Sequence, residues 1–448
     1  MNGRPRAAGL PASVLVFGFA VTGTAVARHL LADGVKVVAA DDAPNEAMRR
    51  RAAELEVELL ESPDAEELAR VARKVAAVVV SPGVPIHHPV FQLGLPMLSE
   101  VELAGRLATA PMVAVTGTNG KTTVTTLVAR MLEASGRRAV AAGNIGLPLL
   151  DAVSAPADVL VVEVSSFQLA LTEQFCPQVA VWLNLAPDHL DWHPTFEHYA
   201  AAKAKVWANQ GPSGVAVANA EDAAVMEAAR SARGRLVTFG LSAGDYRMEG
   251  ECLCGPGGEP IICAGRLPRS LPHDRANALA AAAAALTAGA DLEACRSVLA
   301  SFEGLPHRVQ PVGDVQGVRF YDDSKATTPA SVLAALSGFD SVVLIAGGRN
   351  KGLDLSVLGE AKTRLRAVVA IGEAADEITS AFDGPGGVPV IRAWSMADAV
   401  KAATHAAEVG DTVLLSPGCT SFDWYSSYAE RGDEFTRLVK ELAGAGGR

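Results

Sequence analysis

The stretch Val113-Ala-Val-Thr-Gly-Thr-Asn-Gly-Lys-Thr-Thr-Val124 decides the fold of this chain. An apolar run that favours a buried strand changes into a loop with two glycines, Gly117 and Gly120, and the loop leads into helix-forming residues. Glycine lets backbone N–H groups approach an anion, and the following helix points its own N–H groups and positive dipole end at the same place. The stretch therefore predicts a phosphate-binding loop between a strand and a helix.

In a loop of this kind, Lys121 reaches the outer phosphates and the Thr122 hydroxyl contacts Mg²⁺. The candidate phosphate-binding residues here are Gly117, Thr118, Asn119, Gly120, Lys121, Thr122 and Thr123. Val115 stands where the general motif has its first glycine, so the match to that motif is partial. An ordinary strand-to-helix turn is the alternative, but it gives no reason for Gly-Lys-Thr at the start of a helix.

The composition indicates a soluble globular protein of about three domains, because 448 residues exceed the usual size of one or two. A net charge of −11 argues against a nucleic-acid partner, since the overall field repels a phosphate polymer. Six scattered cysteines lack metal-type spacing, so we expect reduced thiols and no zinc site. No apolar run reaches the length of a membrane span. We therefore expect a cytoplasmic protein without membrane insertion, acting as a monomer.

The N-terminal region has the pattern of a βαβ unit. We predict a strand over Val14–Phe17, a turn over Gly18–Gly23, a helix over Thr24–Leu31 and a strand over Lys36–Ala40 that ends at Asp41. The turn resembles a dinucleotide-binding fingerprint with alanine at its middle glycine. Such a variant predicts a nucleotide at this edge without identifying it.

Three later strands of the central region end in polar clusters. Asn144, Glu163 and His189 stand at or just after the ends of these strands. A helix with Lys203 and Lys205 comes next. Because parallel strands share their carboxyl edge, these strand-end side chains should lie near the phosphate loop.

A third alternation of strands and helices begins after Gly304 and Pro306, which interrupt any helix. The predicted fold class is α/β with three domains. Residues 1–108 form an N-terminal Rossmann-like domain, 109–304 a central P-loop ATPase-like parallel sheet, and 305–448 a C-terminal Rossmann-like domain.

Five separated motifs together resemble the Mur ligases of bacterial cell-wall synthesis, in the family's order and over essentially the whole chain. They are Thr116-Gly-Thr-Asn-Gly-Lys-Thr122, Glu163-Val-Ser-Ser-Phe-Gln168, Asn184 with His189, Leu305-Pro-His-Arg308 and Asp323-Ser-Lys-Ala-Thr327. The last motif is most similar to that of the members that add D-glutamate. The resemblance implies that ATP phosphorylates the carboxylate of UDP-N-acetylmuramoyl-L-alanine, and that the amine of D-glutamate then attacks the acyl phosphate.

The resemblance changes the expected ligand of the first domain from NAD to the UDP-sugar. The residues that it implies for this ligand are Val21, Thr22, Asp41, Ser81, Pro82, Gly83 and Asn144.

The resemblance also implies two Mg²⁺ ions, one at Thr122 and one held by Glu163, His189 and a carbamylated Lys203. Histidine is an unusual ligand for this hard ion, which prefers oxygen. Carbamylation needs a neutral amine, which burial or a nearby cation favours. Lys205, two residues further on, is the competing candidate for the modification.

For the C-terminal domain and the end of the central domain, the resemblance implies roles at the reacting centre, the nucleotide and the amino acid. The implied residues are His307 and Lys325 in the catalytic cleft, Arg308 and Asp323 with Asn277 at the nucleotide, and Thr327, Lys351, Ser421, Phe422 and Tyr428 around D-glutamate. Arg349 and Asn350 receive no role. Asp274 stands where the family often has asparagine, which places that nucleotide contact in question.

Four other functions compete with this one. Another Mur-type ligase or a folylpolyglutamate synthase would share the ATP chemistry, and the synthase should lack a UDP-binding first domain. A non-enzymatic nucleotide switch would need a guanine-reading motif, which Asn350-Lys351 and Asp354 match only with one extra residue between them. An NAD-dependent dehydrogenase would leave the phosphate-binding loop unexplained.

Overall fold

The structure is a computed structural model that describes residues 9–383 and 386–445. The outer ends of the predicted first and third domains therefore lie outside the described residues. Chain contacts within the described part fall into two compact units. The first contains the residues up to 185 together with 192–267 and 276–301, and the second contains 186–191, 268–275 and the residues from 302 onward.

The first unit begins with a five-stranded parallel sheet in the order β3-β2-β1-β4-β5. Its elements are β1 Ser13–Phe17, α1 Val21–Ala32, β2 Lys36–Asp41, α2 Glu46–Glu54, β3 Glu58–Glu61, α3 Ala65–Ala72, β4 Ala77–Val80, a 3₁₀ turn Pro89–Gln92, β5 Met97–Leu98 and α4 Glu100–Leu107. Apolar residues on both faces of the sheet pack against the helices. The predicted βαβ unit is therefore confirmed.

The first helix begins at Val21, three residues before the predicted start at Thr24. The left-handed φ of +89° at Gly18 completes the turn early. A Cβ on Gly23 would lie 2.0 Å from the Gly18 carbonyl oxygen, so only glycine lets the helix start so close to the strand. The predicted turn was too long because this close approach shortens it.

The same unit continues with a six-stranded parallel sheet in the order β11-β10-β9-β6-β8-β7. Its elements are β6 Met112–Thr116, α5 Lys121–Ala134, β7 Ala139–Gly143, α6 Leu149–Val153, β8 Val159–Glu163, α7 Ser166–Ala170, β9 Val179–Trp182, α8 Phe196–Ala208, β10 Val215–Asn219, α9 Ala223–Ala229 and β11 Arg235–Phe239. The strand that precedes the phosphate loop is central, between β8 and β9.

A small antiparallel sheet and two helices follow. They are β12 Arg247–Glu249, β13 Cys252–Cys254, β14 Pro260–Cys263, two 3₁₀ turns Pro256–Gly258 and Ala264–Arg266, α10 Pro272–Thr287 and α11 Leu292–Ser301. The alanine-rich helix α10 starts at Pro272, and the division between the two units falls within it, after Arg275.

Cys252 and Cys263 form a disulfide, so the expectation that all six cysteines are reduced thiols is wrong. The two residues lie directly opposite each other on the antiparallel strands β13 and β14. This register brings their Cβ atoms together, and spacing along the sequence does not reveal it. Cys176, Cys254, Cys295 and Cys419 are free thiols.

The second unit contains a six-stranded sheet in the order β15-β16-β20-β17-β18-β19, parallel except for the β15–β16 pair. Its elements are β15 Gln310–Val315, β16 Val318–Asp322, α12 Pro329–Leu336, β17 Val342–Gly347, a 3₁₀ segment Leu355–Arg364, β18 Leu365–Ile371, α13 Ala375–Phe382, β19 Val390–Arg392, α14 Met396–Ala406, β20 Thr412–Gly418 and α15 Tyr428–Ala445. Apolar clusters cover both faces of this sheet. The predicted doubly wound unit is confirmed.

None of the helices in the described residues combines the length and the apolar character that crossing a membrane requires.

Candidate active site

The phosphate loop has a conformation that depends on glycine. Gly120 has a left-handed φ of +84°, and a Cβ there would lie 2.5 Å from the Asn277 side-chain oxygen. The Asn184 side-chain oxygen accepts hydrogen bonds from the backbone N–H groups of Thr118 and Asn119, at 3.0 and 2.9 Å. Asn184 therefore sets the shape of the loop, and Asn277 lies against its last glycine.

Lys121 is the first residue of α5, and its ammonium group lies over the loop. Its Nζ donates to the carbonyl oxygens of Gly117 and Thr118, both at 2.9 Å. Thr122 and Thr123 follow in the first helical turn, where N–H groups have no partner within the helix. The cation, the helix N-terminus and the glycine loop together make an anion-binding site.

Glu163 ends β8, the strand next to the phosphate-loop strand, and pairs in register with Val115. Its side chain is buried, and Oε1 accepts a hydrogen bond of 2.8 Å from the Asn144 amide. Oε2 is buried with no hydrogen-bond partner in the described part of the chain. A buried carboxylate oxygen without a partner is costly, so a cation at this oxygen would satisfy it.

Glu163 therefore fits an Mg²⁺ site, because the ion prefers carboxylate oxygens. Within residues 9–383 and 386–445, no three His, Cys, Asp or Glu side chains gather into a metal cluster. Mg²⁺ usually binds through one or two carboxylates with substrate phosphates and water. A single carboxylate beside the strand of the phosphate loop fits this description.

Lys203 and Lys205 lie on the same helix but face opposite ways. Lys203 is buried, and its Nζ donates to the Gly117 carbonyl oxygen at 2.8 Å. Lys205 donates to the carbonyl oxygens of Ala170 and Thr172, at 2.6 and 3.1 Å. Burial lowers the pKa of Lys205. Of the two lysines, Lys203 is the one at the phosphate loop.

Tyr199 and Asn184 are two residues of this site for which sequence reasoning assigned no ligand role. The Tyr199 hydroxyl lies 3.0 Å from the Thr118 hydroxyl, and its ring lies 4.7 Å below the Lys203 ammonium. Tyr199 precedes Lys203 by four residues, which puts the two on one helical face. That spacing is the signal that could have identified it.

At the edge of the N-terminal sheet, the candidate UDP-sugar residues shape two adjoining loops. The Ser81 hydroxyl donates to the Gly18 carbonyl oxygen at 2.7 Å, and the Asp41 carboxylate accepts from the backbone N–H of Phe19 at 2.7 Å. Val21 is 60% exposed at the start of α1. Thr22, Pro82 and Gly83 adjoin these positions along the chain, and Asn144 lies with Glu163 at the central sheet.

In the second unit, His307 is tied to the end of β16. Its Nδ1 lies 2.7 Å from an Asp322 carboxylate oxygen, and a Cβ on Gly432 would lie 2.3 Å from that nitrogen. Gly432 thus leaves room for the pair. Burial raises the pKa of Asp322 although His307 lowers it.

Asp323 is buried beside this pair. Ser416 donates to its Oδ2 at 2.7 Å, and the Val309 backbone N–H donates to Oδ1 at 3.2 Å. Burial raises the pKa of Asp323 to about 7. The carboxyl group therefore links the segment after Arg308 to two neighbouring strand ends.

Lys325 and Tyr428 meet directly, with the ammonium 3.6 Å from the ring centroid. Arg431, one turn further along α15, was missed by sequence reasoning. Its buried guanidinium donates to the Ser324 hydroxyl at 2.9 Å and to the Cys419 carbonyl oxygen at 3.2 Å. It thereby joins the Lys325 loop to the loop that carries Ser421. An arginine next to a glycine in an amphipathic helix is a weak signal, and it did not single out this residue.

The remaining amino-acid candidates are on these loops. Thr327 is half-buried just before α12, Ser421 is buried, and Phe422 is 61% exposed.

Lys351 forms an ion pair with Asp188 at 2.7 Å within the second unit. Asp188 Oδ2 also lies 3.2 Å from Nε2 of His189, whose φ of +56° is left-handed. The residues 186–191 therefore group with the C-terminal sheet by their contacts, although they follow a strand of the central sheet. Asn350 closes the Lys351 loop through the Leu353 backbone, and Arg349 pairs with Glu373 on the surface.

Asp274, the departure from the family pattern, accepts from Arg269 at 2.9 Å. Arg269 also donates to the carbonyl oxygen of the half-buried Arg308. This ion pair gives Asp274 a structural partner, which an asparagine would match less strongly.

Three family descriptions match the chain in succession. They are a Mur ligase MurD-like N-terminal domain over residues 12–101, a Mur ligase middle domain over 115–285, and a Mur ligase glutamate ligase domain over 307–419. Together they cover the N-terminal, central and C-terminal sheets.

Relatives and solved structures agree with these matches. The chain is 44% identical to UDP-N-acetylmuramoylalanine--D-glutamate ligase of Frankia casuarinae, over 98% of this chain and 95% of that protein. It is 41% identical to the protein of the same name from Desulfosudis oleivorans, over 96% of each chain. A solved structure of UDP-N-acetylmuramate-alanine ligase MurC from Thermotoga maritima has the same fold, with a TM-score of 0.60 and 19% identity over 96% of this chain and 100% of that chain.

Proposed function

Because the chain belongs to the Mur ligase family, we propose that it joins D-glutamate to UDP-N-acetylmuramoyl-L-alanine with the energy of ATP. The reaction yields ADP, phosphate and a new amide in the synthesis of a peptidoglycan precursor. The observation that carries the proposal is the cluster at the central sheet edge, where Lys121, Lys203 and Glu163 belong to adjoining segments around one phosphate loop. We place the reaction in the cytoplasm, with the protein as a monomer.

The central sheet edge suits transfer of a phosphoryl group. Lys121 and the N–H groups at the start of α5 bind the outer phosphates of ATP, with Thr122 in the same turn. A carboxylate is a poor electrophile, and phosphorylation gives it a leaving group. Lys121 stabilises the negative charge that develops as the phosphoryl group moves. Mg²⁺ held by Thr122 and Glu163 would supply further positive charge to this transfer.

Glu163 is the residue of this chain that best fits the metal, through its unpartnered Oε2. Lys203 as a carbamate would replace a buried cation by an anion beside the same loop. We also assign His189 to the metal, as the family resemblance implies; within its own unit, its Nε2 lies 3.2 Å from the Asp188 carboxylate. Asn277 packs at the last glycine of the loop, a position that suits a contact with the nucleotide.

The second unit supplies cations for the incoming amino acid. Lys325 and Lys351 match the charge of its carboxylates, and Thr327 and Ser421 offer hydroxyl donors. Tyr428 holds Lys325 in place through the face of its ring. We assign Arg308 and Asp323 to the nucleotide, with His307 ordering their loop through Asp322.

Phosphate release measures this function directly. We expect release from ATP only when UDP-N-acetylmuramoyl-L-alanine and D-glutamate are both present, and a product whose mass equals their sum minus water. Parallel mixtures contain L-glutamate with folate, L-alanine with UDP-N-acetylmuramate, GTP alone, and NAD with hydroxy acids. No phosphate release in the first mixture, with activity in another, would replace the proposal. Phosphate release with folate, with L-alanine or with GTP alone would indicate a folylpolyglutamate synthase, another Mur-type ligase or a nucleotide switch, in that order. Reduction of NAD would indicate a dehydrogenase.

A further inference from the structure

A cluster of aromatic and histidine side chains lies beside the phosphate loop in the first unit, with His193 at its centre. His193 is fully buried. Its ring lies parallel to Phe167, with centroids 5.7 Å apart, and meets the edges of Tyr199 at 5.2 Å and Trp192 at 4.6 Å. The proposed chemistry leaves this imidazole without a role. Burying a polar ring is costly unless its nitrogens are bonded.

Both ring nitrogens of His193 are bonded. Nε2 lies 2.9 Å from the Ser166 hydroxyl, and Nδ1 lies 2.9 Å from Nδ1 of His198. Ser166 is the first residue of α7, three residues after Glu163, and His198 lies in the first turn of α8. One planar side chain therefore connects the segment behind Glu163 to the helix that carries Lys203.

The helix that His193 holds makes two contacts with the phosphate loop. The Tyr199 hydroxyl lies 3.0 Å from the Thr118 hydroxyl, and Lys203 donates to Gly117 at 2.8 Å. Tyr199 adjoins His198 along the helix and also packs against the His193 ring. A shift at His193 would therefore reach the loop through both side chains.

The neighbouring Trp192 makes a similar connection to the N-terminal sheet. Its indole N–H donates to the Val84 carbonyl oxygen at 2.8 Å. Val84 follows the candidate UDP-sugar loop that ends at Gly83. Trp192 and His193 thus contact three segments that carry or adjoin candidate ligand residues. These are the loop at Val84, the start of α7 and the first turn of α8.

We infer that His193 is a positioning residue, which sets the register of α8 so that Tyr199 and Lys203 meet the phosphate loop. The inference rests on the proposed function for its catalytic consequence. An imidazole suits the task because it offers polar atoms on two edges of a rigid ring. Phenylalanine keeps the shape without either bond, asparagine keeps a polar atom near Nδ1, and glutamine keeps one near Nε2.

The test compares His193→Phe, His193→Asn and Ser166→Ala with the surface control His405→Ala. We expect His193→Phe to lower kcat about tenfold to a hundredfold, with the KM for ATP changed less than about threefold. We expect Ser166→Ala to lower kcat less, and His193→Asn to recover part of the loss. Carbon-13 NMR with labelled bicarbonate should show a smaller carbamate signal at Lys203 in His193→Phe.

Amide hydrogen exchange provides a readout that is independent of activity. Exchange in residues 116–122 and 196–208 should be faster in His193→Phe than in His405→Ala, while the C-terminal sheet is unchanged. The inference would be overturned if folded His193→Phe had the same hydrogen exchange, kcat and carbamate signal as the wild type. If His193→Phe does not fold, the same three measurements on Ser166→Ala decide. A wild-type protein without ligase activity would instead defeat the proposed function, and hydrogen exchange would still decide the inference.

Discussion

Lys203 Nζ donates to the carbonyl oxygen of Gly117 at 2.8 Å, which joins α8 to the phosphate loop across 86 positions of sequence. Lys205, two residues later, faces the carbonyl oxygens of Ala170 and Thr172. Residues two positions apart in a helix point in directions that differ by about 200°, so the two lysines cannot share a face. Of the two lysines, Lys203 is therefore the one at the phosphate loop, which supports the role proposed for it.

Lys203→Ala should therefore lower kcat by about a hundredfold to a thousandfold, because it removes a charged group from the reacting centre. The matched control Lys205→Ala should retain kcat within about threefold, since its side chain bonds carbonyls away from the loop. Steady-state kinetics and carbon-13 NMR with labelled bicarbonate check both variants. A carbamate that persists in Lys203→Ala and disappears in Lys205→Ala would contradict the assignment.

Glu163→Gln should weaken Mg²⁺ binding and raise stability in the absence of the ion. The substitution keeps the oxygen that accepts from Asn144 and removes a buried charge whose Oε2 has no hydrogen-bond partner in the described chain. We expect unfolding to cost about 1–2 kcal/mol more without Mg²⁺. Denaturant titrations with EDTA and with Mg²⁺ measure this. A variant less stable than wild type under EDTA would show that the carboxylate is already satisfied.

Gly120→Ala should raise the KM for ATP at least tenfold and lower stability by about 1–3 kcal/mol. The new Cβ would lie 2.5 Å from the Asn277 side-chain oxygen, at a φ of +84°. Gly211→Ala is the matched control, because a Cβ there meets nothing within 4 Å and the backbone needs no left-handed φ. Equal KM values for ATP in the two variants would contradict a role of the phosphate loop in ATP binding.

Glu100→Gln should stabilise the protein at pH 8 and make little difference near pH 4.5. Burial raises the pKa of Glu100 from 4.5 to about 7, although the Leu150 N–H donates to it. The folded state thus binds the proton more tightly than the unfolded state. The stability due to this group is full below pH 4.5 and is lost as pH rises through 7.

The difference between Glu100→Gln and wild type should reach at most about 3 kcal/mol at pH 8, by conversion of the pKa difference. Glutamine keeps an oxygen for the Leu150 N–H and carries no charge. Chemical denaturation at pH 5, 6, 7 and 8 gives the comparison. A difference that is constant over this range would mean that Glu100 does not titrate there.

Non-reducing digestion should recover the peptide of Cys252 linked to that of Cys263 when the protein is purified in air. The exposed Cys176 should be alkylated in the native protein, while the buried Cys254, Cys295 and Cys419 react only after unfolding. Burial raises the pKa of Cys295 and of Cys419 to about 12, so their thiolates are scarce. Replacing Cys252 and Cys263 by serine should cost roughly 2–3 kcal/mol relative to the oxidised protein. Alkylation of all six cysteines after unfolding without reductant would refute the bridge.

Local pattern was sufficient to predict the alternation of strands and helices and the polar strand ends. Glu163 follows an apolar β-branched run, and parallel strands share one carboxyl edge, so its place beside the phosphate loop could be expected. The start of α1 was missed because it depends on how closely Gly23 approaches the Gly18 carbonyl oxygen, and the local pattern does not show this distance.

Other contacts join side chains on different segments of the chain. His193 takes its partners from α7 and α8, and Arg431 joins two loops that precede α15. A lone histidine or arginine carries no pattern that names such partners. Their contacts are visible only in the tertiary structure.

The sequence by itself identified the phosphate loop, because a loop with glycines between a strand and a helix is recognised from neighbouring residues. The hydrogen bonds that Asn184 accepts from this loop come from tertiary structure. The sequence also determined the three successive α/β sheets through the periodicity of apolar residues. Tertiary structure alone decided that Lys203 faces the loop, that Cys252 meets Cys263, and that Lys351 meets Asp188. These pairings depend on strand register, helix rotation and packing, which arise from contacts between distant segments and not from local pattern.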